Sequence, residues 1–514
     1  MYINDKILVG KNEETEVNLL LDKANRHGII TGASGSGKTI TLKVLAESFS
    51  DARVPVFLVD VKGDLAGMTL KGEMNENVAS RVEKLKLEDF NVKSYPTNFW
   101  DMYGVKGHPI RTTVSSLGSD LLSRMLDLTS AQEGVLAIIF KIAKDEEKEI
   151  IDLKDLQAML KYVGENSKEY TLKYGNVTSQ SIGAIQRNLL KLEEQGGDLF
   201  FGKPDFDIKD LMKYSPIDGR GYINVFDATT LFRKPVLYSI FLLWLLNTIY
   251  DTLPEVGDLA KPKLVFFLDE AHLIFSEMPD NIIKNLIGIV KLIRSKGVGL
   301  YFISQSPSDI PDEILSQLGN RIQHVLRYYT KSDEKAIKAA CNSFRSNPNF
   351  KTEDVITELK TGEALVSVQT EDGEPSIVER VKILPPQSMM GTIDDNIRDK
   401  FIKDGMFYGK YENKIDPESA FEKINTDKVY EEKVIENKNI EVQKEEHAYL
   451  KPDYLEKSTS NKTTSTPTTT KTTTKKVGRP KKTQLEKATT KVTNSALNTF
   501  GRKLGNSIFK GLFK

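Results

Sequence analysis

Apolar residues along the first 425 positions fall into two alternating patterns. Short continuous runs read as buried strands, and stretches with apolar residues three or four apart read as helices. Tyr2–Val9 and Glu16–Leu21 are apolar-rich runs separated by the turn-like Gly10-Lys-Asn12, which predicts two strands. Residues 28–32 (GIITG) give a third, ending in glycine, and a helix is predicted from Lys38 to Phe49. Val54–Val61 (VPVFLVDV) is a further buried run, stopped by Lys62-Gly-Asp64. Strand, helix and strand in this rhythm predict a βαβ unit and a parallel sheet with helices on its faces. The 54–61 strand is expected beside the 28–32 strand, with Asp60 near its end.

Residues 112–200 change period. Leu117, Leu121, Leu122, Met125, Leu126 and Leu128 recur at helical spacing, as do Val135, Ile138, Ile139 and Ile142, which predicts an inserted helical region. Strand character resumes at Gly221–Phe226 and again at Leu264–Leu268. A helix over about 280–296 and the strand Val298–Ser304 follow, with late strands at Ala364–Val368 and Ile377–Ile383. Pro235 to Tyr250 is an uncharged apolar stretch between Lys234 and Asp251. It is shorter than the ~20 residues that span a bilayer and carries Ser239, Asn247 and Thr248, so it reads as a buried core helix and no membrane span is expected. Together these segments predict an α/β fold: a RecA-like P-loop NTPase core with a parallel sheet, an inserted helical region and a disordered basic C-terminal tail. The expected parts are 1–111 (first half of the core), 112–200 (helical insertion), 201–425 (second half), 426–492 (charged, Thr/Lys-rich linker) and 493–514 (basic amphipathic helix).

Composition sharpens the tail. The 514 residues hold 72 basic and 72 acidic side chains, but residues 451–514 hold 15 basic against 3 acidic, leaving 57 against 69 in the rest. An acidic body therefore carries a basic tail, an asymmetry that points to an interaction segment. Nine of the twelve residues in 463–474 are threonine, a composition that cannot bury enough apolar surface to order itself. Gly478-Arg-Pro480 inside a lysine run resembles an AT-hook, whose arginine enters the narrow minor groove of A·T-rich DNA. Leu497, Phe500, Leu504, Ile508, Phe509, Leu512 and Phe513 share one helical face with basic residues elsewhere, a surface for docking onto protein or an anionic membrane. A single cysteine, Cys341, excludes a disulfide framework and fits a reducing cytoplasmic setting.

The chemistry is concentrated in two segments. Gly32-Ala33-Ser34-Gly35-Ser36-Gly37-Lys38-Thr39 fits G-x-x-x-x-G-K-[ST] between a strand and a helix. In that setting backbone N–H groups turn inward around phosphates, Lys38 reaches the β- and γ-phosphates of ATP, and the Thr39 hydroxyl ligates Mg²⁺. The strand 264–268 delivers Asp269 and Glu270 at its end. Asp269 would hold the magnesium and Glu270 would act as general base on the attacking water; Asp269 as a plain helix cap is the simpler reading of that residue. Gln305, at the end of the next strand, is placed to sense the γ-phosphate or position water, or to serve as a turn residue before Pro307.

The segment Asp269-Glu-Ala-His272 suggests a DEAH-box helicase, but 231 residues separate Lys38 from Asp269 and the other helicase motifs are missing. The chain instead resembles the HerA/FtsK class of ring-forming DNA-translocating ATPases, and within it the bacterial YjgR-type HerA-like proteins. The matching stretches are Asn25-Arg-His-Gly28, Val59-Asp-Val-Lys-Gly-Asp-Leu65, Gly183-Ala-Ile-Gln-Arg187, KPKLVFFLDEAHLIF at 261–275, LIRSKGVG at 292–299 and SQSPSDIPDEILSQLGNRIQH at 304–324. The resemblance implies an ATPase working as a homo-oligomeric ring, a hexamer, on double-stranded DNA, with a nuclease or other protein partner. It implies that Arg26 reaches a neighbouring subunit's nucleotide, that Arg294 senses nucleotide within its own subunit, and that Asp60 lines the nucleotide site. Arg321 is a further finger candidate by position alone, and a helix C-terminus would suit Arg294 for dipole reasons too. HerA proteins carry an N-terminal barrel before the loop, whereas 31 residues precede Gly32 here. An ATP-dependent switch or scaffold that never moves on DNA is the alternative function, and a DNA-binding protein with a regulatory ATPase is a third.

Overall fold

The computed structural model describes residues 1–429, apart from Asp258, Met278 and Pro279, together with residues 433–434. The threonine-rich spacer, the Gly-Arg-Pro segment and the terminal amphipathic helix all lie outside the described residues. Thirteen strands form one sheet among those described. They are β1 (Tyr2–Ile3), β2 (Lys6–Lys11), β3 (Glu16–Leu20), β4 (Gly28–Thr31), β5 (Val56–Asp60), β6 (Thr97–Asp101) and β7 (His108–Pro109). The later strands are β8 (Ile223–Asp227), β9 (Leu264–Leu268), β10 (Val298–Ser304), β11 (Asn320–Gln323), β12 (Glu363–Ser367) and β13 (Glu379–Ile383).

The order is β1-β2-β13-β12-β11-β4-β10-β9-β5-β8-β6-β7, with β3 also paired to β2. From β11 to β7 every pairing is parallel, and β12, β13, β1, β2 and β3 form an antiparallel flank. The residues ahead of the phosphate loop thus extend the main sheet. This order corrects one expectation: β5, the strand of Asp60, does not lie beside β4. Strands β10 and β9, from over 200 residues downstream, stand between them. Every residue of β5, β9 and β10 is buried, as is proper to strands covered on both faces, but β4 and β8 are wholly buried too, so the pattern marks interior strands without setting their order.

Alternation along these strands feeds two cores. Phe57, Val59, Phe266, Leu268, Leu300 and Phe302 point to one face, while Val56, Leu58, Val265, Phe267, Tyr301 and Ile303 point to the other. The second face packs on the helix Lys38–Asp51 through Leu42, Leu45 and Phe49. The first packs on the helix Pro235–Thr252, whose apolar residues are buried all round. Three of its polar side chains bond within the helix, while the buried Tyr238 hydroxyl has no hydrogen-bond partner. Ser239 donates to Pro235 O (2.7 Å), Asn247 to Leu243 O (2.8 Å) and Thr248 to Trp244 O (2.8 Å). No helix among the described residues is long and apolar enough to cross a membrane.

Helices fill the region from Val114 to Phe200; the longest are Ser130–Asp145, Leu153–Glu165 and Ser179–Glu194. Capping boxes begin two of them, Thr129 with Gln132 and Asp152 with Asp155. Their apolar faces join the same core as Pro235–Thr252. Strand β6 went unforeseen because its apolar run is only Phe99 and Trp100. Its polar groups are satisfied sideways, the Trp100 indole N–H and the Asn98 amide both donating to Asn224 Oδ1 of β8. After β13 the helix Asp395–Asp404 crosses the β6–β8 edge. There the buried Arg398 lies 5.3 Å from the Phe99 ring centroid and 3.6 Å from Asp227.

Candidate nucleotide site

Strand β4 delivers the phosphate loop at its C-terminal end, and the helix Lys38–Asp51 starts on the loop's last residues. Gly37 caps that helix in the left-handed region (φ 115°), and Gly35 has φ 74°. Gly32 is required twice over: its φ is 150°, and a Cβ there would stand 2.5 Å from the Cβ of His324. Lys38 folds back over the loop, its Nζ donating to Gly32 O (2.6 Å) and Ala33 O (3.1 Å), and burial lowers its pKa. Thr39 follows in the first helical turn, half-buried.

His324, just past β11, holds the loop from behind. Its backbone N–H donates to Thr31 O (2.7 Å), and the next residue, Val325, accepts from the Ala33 N–H (2.9 Å). The ring bridges two elements: Nδ1 donates to Glu363 O (3.0 Å) and Nε2 accepts from the Thr41 hydroxyl (2.8 Å). Burial pushes its pKa down to about 4, with the Lys38 ammonium adding to the shift, so the ring is neutral. Sequence reasoning missed this residue, because its partners come from β4, the helix and β12.

The acids arrive on β9, with only β10 between it and β4. Asp269 is buried, and burial, reinforced by the neighbouring Glu270 charge, pushes its carboxyl up to about 7. Its Oδ2 is buried without a hydrogen-bond partner, as is the Oε2 of Glu270. Glu270 adopts a left-handed backbone (φ 48°), which is strained for a non-glycine residue and marks a functional turn. Its Oε1 is ion-paired with Lys62 Nζ, and His272 Nδ1 stands 3.2 Å from Oε2. Burial tends to raise the Glu270 pKa, but the Lys62 ammonium outweighs it and holds the carboxylate below its usual range.

The other expected residues divide by edge. Gln305 is exposed directly after β10, and Ser304 pairs with Thr31 across the sheet, so Gln305 stands at the edge that carries the loop. Asp60 also ends its strand at that edge, but its carboxylate is spent on its own turn. Oδ1 accepts from Gly63 N–H (2.7 Å) and Oδ2 from Leu65 N–H (3.0 Å). That turn carries Lys62, which is paired with Glu270. Lys62 is the second residue that sequence reasoning passed over; a lysine in a glycine turn after a wholly buried strand was its signal.

Arg26 and Arg294 stand at the opposite edge. Arg26 precedes β4 and the loop follows it, so the strand's length, about 13 Å at ~3.3 Å per residue, separates the two. The Arg26 guanidinium lies against the turn at Gly373, where a Cβ would stand 3.1 Å from its Nη1. Arg294 opens the 3-10 turn Arg294–Lys296 ahead of β10 and raises the electrostatic cost of protonating His27. The expectation that it senses nucleotide within its own subunit does not fit this placement, because β10 runs parallel to β4 and Arg294 precedes it. Arg321 is half-buried and donates to Leu318 O (3.1 Å) and Leu315 O (3.0 Å). It caps a neighbouring turn of its own chain, which removes the case for it as a finger.

The donors fit a phosphate and a hard divalent cation. The loop offers backbone N–H groups and an ammonium, while the Thr39 hydroxyl and the orphaned Asp269 Oδ2 are oxygen ligands of the kind Mg²⁺ takes. A phosphate loop on one strand, acids two strands away and a polar amide on the strand between define a RecA-like P-loop NTPase. The sequence model of the family described as Helicase HerA-like C-terminal matches residues 5–514, and the chain belongs to that family. The DNA double-strand break repair helicase HerA of Sulfurisphaera tokodaii is 23% identical over 383 residues, covering 71% of this chain and 67% of that protein. The protein of the same description from Pyrococcus furiosus is 24% identical over 400 residues, covering 71% and 68%. The chain spans about two thirds of the length of the curated relatives it matches. Among solved structures, the plasmid coupling protein TrwB in complex with a non-hydrolysable GTP analogue aligns at a TM-score of 0.49 and 14% identity, over 77% of this chain and 92% of that one.

Proposed function

We propose that the chain hydrolyses ATP and couples turnover to movement along double-stranded DNA as a hexameric ring. The observation that carries hydrolysis is the approach of Glu270, whose buried Oε2 makes no hydrogen bond and has only His272 Nδ1 beside it, to the Lys38 loop across a single strand. Lys38 leaves the Gly32 and Ala33 carbonyls for the β- and γ-phosphates. Thr39 and Asp269 would hold Mg²⁺, which would supply neutralisation of the phosphate charge. Glu270 accepts the proton of the attacking water through Oε2, and Gln305 orients that water from the next strand. Arg26, at the far edge of its own sheet, serves the nucleotide of an adjacent copy in the ring. Arg294 shares that edge and faces the same neighbour. The names of the HerA relatives support DNA as the track, and the Gly478-Arg-Pro480 tail adds a minor-groove contact of its own. A nuclease or other protein partner and a cytoplasmic setting complete this reading.

Glu270→Gln should retain MgATP binding and lose turnover by ~10²–10⁴-fold, the usual contribution of a general base. Arg26→Ala and Lys38→Ala chains, each inactive alone, should regain turnover when mixed, since a mixed interface restores one complete site. Unchanged turnover in Glu270→Gln removes that residue from the mechanism, and silent mixtures remove Arg26 from the neighbour's site.

A further inference from the structure

We propose that Lys62 is a γ-phosphate ligand that Glu270 holds in reserve until a triphosphate enters the site. This rests on the nucleotide reading above and assigns a cation there, Lys62, to which that reading gives no role. Lys62 is a two-sided residue. Its side chain is 44% exposed, while its ammonium is paired with Glu270, which is only 10% exposed. The backbone beneath it is fixed by Asp60, whose two carboxylate oxygens accept from Gly63 and Leu65. The lysine therefore hangs from a rigid turn with only its own methylenes to rotate.

The charges around it are arranged as a set. Lys62 opposes protonation of Lys38, while Asp269 and Glu270 favour both, with Asp309 adding to Lys38 and Asp64 to Lys62. Without nucleotide, the two cations face Asp269 and Glu270 together, with these further carboxylates behind. A triphosphate adds anionic oxygens between them that a diphosphate lacks at the γ position. A mobile ammonium is drawn to the greater concentration of charge, and a lysine makes such contacts as a point charge without a fixed geometry. Transfer of Lys62 from Glu270 Oε1 to the γ-phosphate has two effects. It adds a contact that only a triphosphate can make, and it frees the carboxylate that must accept the water's proton. Lys62 thus couples recognition of the γ-phosphate to release of the base.

The test is equilibrium binding of Mg·ADP and of Mg·AMP-PNP, a non-hydrolysable triphosphate, to the full chain. The variants are Lys62→Met, Glu270→Gln and the two combined. Lys62→Met should weaken AMP-PNP about tenfold, the scale of one charge-assisted contact, and leave ADP within about twofold. Glu270→Gln frees the lysine and should tighten AMP-PNP several-fold, roughly by the lost ion pair. The double variant should lose most of the tightening seen in Glu270→Gln, because the greater part of that gain comes through the freed lysine. Equal weakening of both nucleotides by Lys62→Met would mean a purely structural ion pair and overturn the proposal. So would an unchanged AMP-PNP affinity in Glu270→Gln. Failure of the parent chain to bind either nucleotide would instead sink the nucleotide site itself. ADP binding by each variant reports that it is folded.

Discussion

Removing the imidazole of His324 tests whether the phosphate loop is held from behind. In His324→Ala two bonds disappear, one to the part-buried Glu363 O (3.0 Å) and one from the buried Thr41 (2.8 Å). A buried polar group left without a partner costs about 1–3 kcal/mol. Thr41 keeps a weaker bond to Gly37 O (3.3 Å), which puts its share at the low end. The space of the lost ring adds a cavity cost, because the neighbouring strands relax only in part, and the sum is about 3–5 kcal/mol. The loss falls on the loop first: a Gly32 Cβ would meet the His324 Cβ, and a Gly37 Cβ would lie 3.5 Å from its Cε1. Urea unfolding and titration with fluorescent ADP read the two consequences. Expected are a large drop in stability and a weakened ADP affinity, with the fold retained at low temperature. Stability within about 0.5 kcal/mol of the parent, the range of a neutral surface change, would refute the wedge.

His27 carries a pH-dependent prediction. Its Nε2 donates to Val290 O (2.9 Å), its Nδ1 accepts from Leu300 N–H (3.0 Å), and burial pushes its pKa from 6.5 down to about 4. The unfolded chain therefore takes up this proton first, and stability is lost as pH falls from 6.5 toward 4. Between pH 8 and pH 5 that loss is about 2 kcal/mol, so the deficit of His27→Gln against the parent in urea should shrink by that amount; a constant deficit would contradict a neutral buried ring. Arg398→Met should cost about 2–4 kcal/mol, because Thr229 bonds only the Oδ1 of Asp227 and Oδ2 is left with the Lys106 ammonium at 3.4 Å. Thermal unfolding of that variant measures it, and restored stability in Arg398→Met with Asp227→Asn would locate the cost in the unpaired acid. Gly32→Ala forces its Cβ onto His324 and should abolish ADP binding in the same titration; binding within about twofold of the parent would mean that the loop yields cheaply.

Much of the site was legible because its chemistry is local. The phosphate loop is one continuous segment whose glycines, lysine and threonine each answer to a backbone or ionic requirement. The β9 strand announces its acids by an unbroken buried run. Gln305 follows in the same way from β10. Adjacency in the sheet was not legible, since β4, β5, β8, β9 and β10 are all wholly buried and such runs do not tell which strand lies beside which. Lys62 and His324 were missed for that reason: each meets the site only through strands from other parts of the sequence. The arginines show the converse limit. Arg26 and Arg294 share an edge because β4 and β10 are parallel, while Arg321 turns to two carbonyls of its own chain. Neither outcome can be read from spacing along the sequence.

The central claim is that ATP turnover at the Lys38–Glu270 site is coupled to DNA. Steady-state ATP hydrolysis by the full chain, with and without long double-stranded DNA and beside a size measurement of the ATP-bound particle, tests it most directly. The account predicts a ring-sized particle whose turnover rises several-fold with DNA and vanishes in Glu270→Gln. Brisk turnover that is indifferent to DNA of any length would contradict it and leave an ATP-driven switch or scaffold in its place.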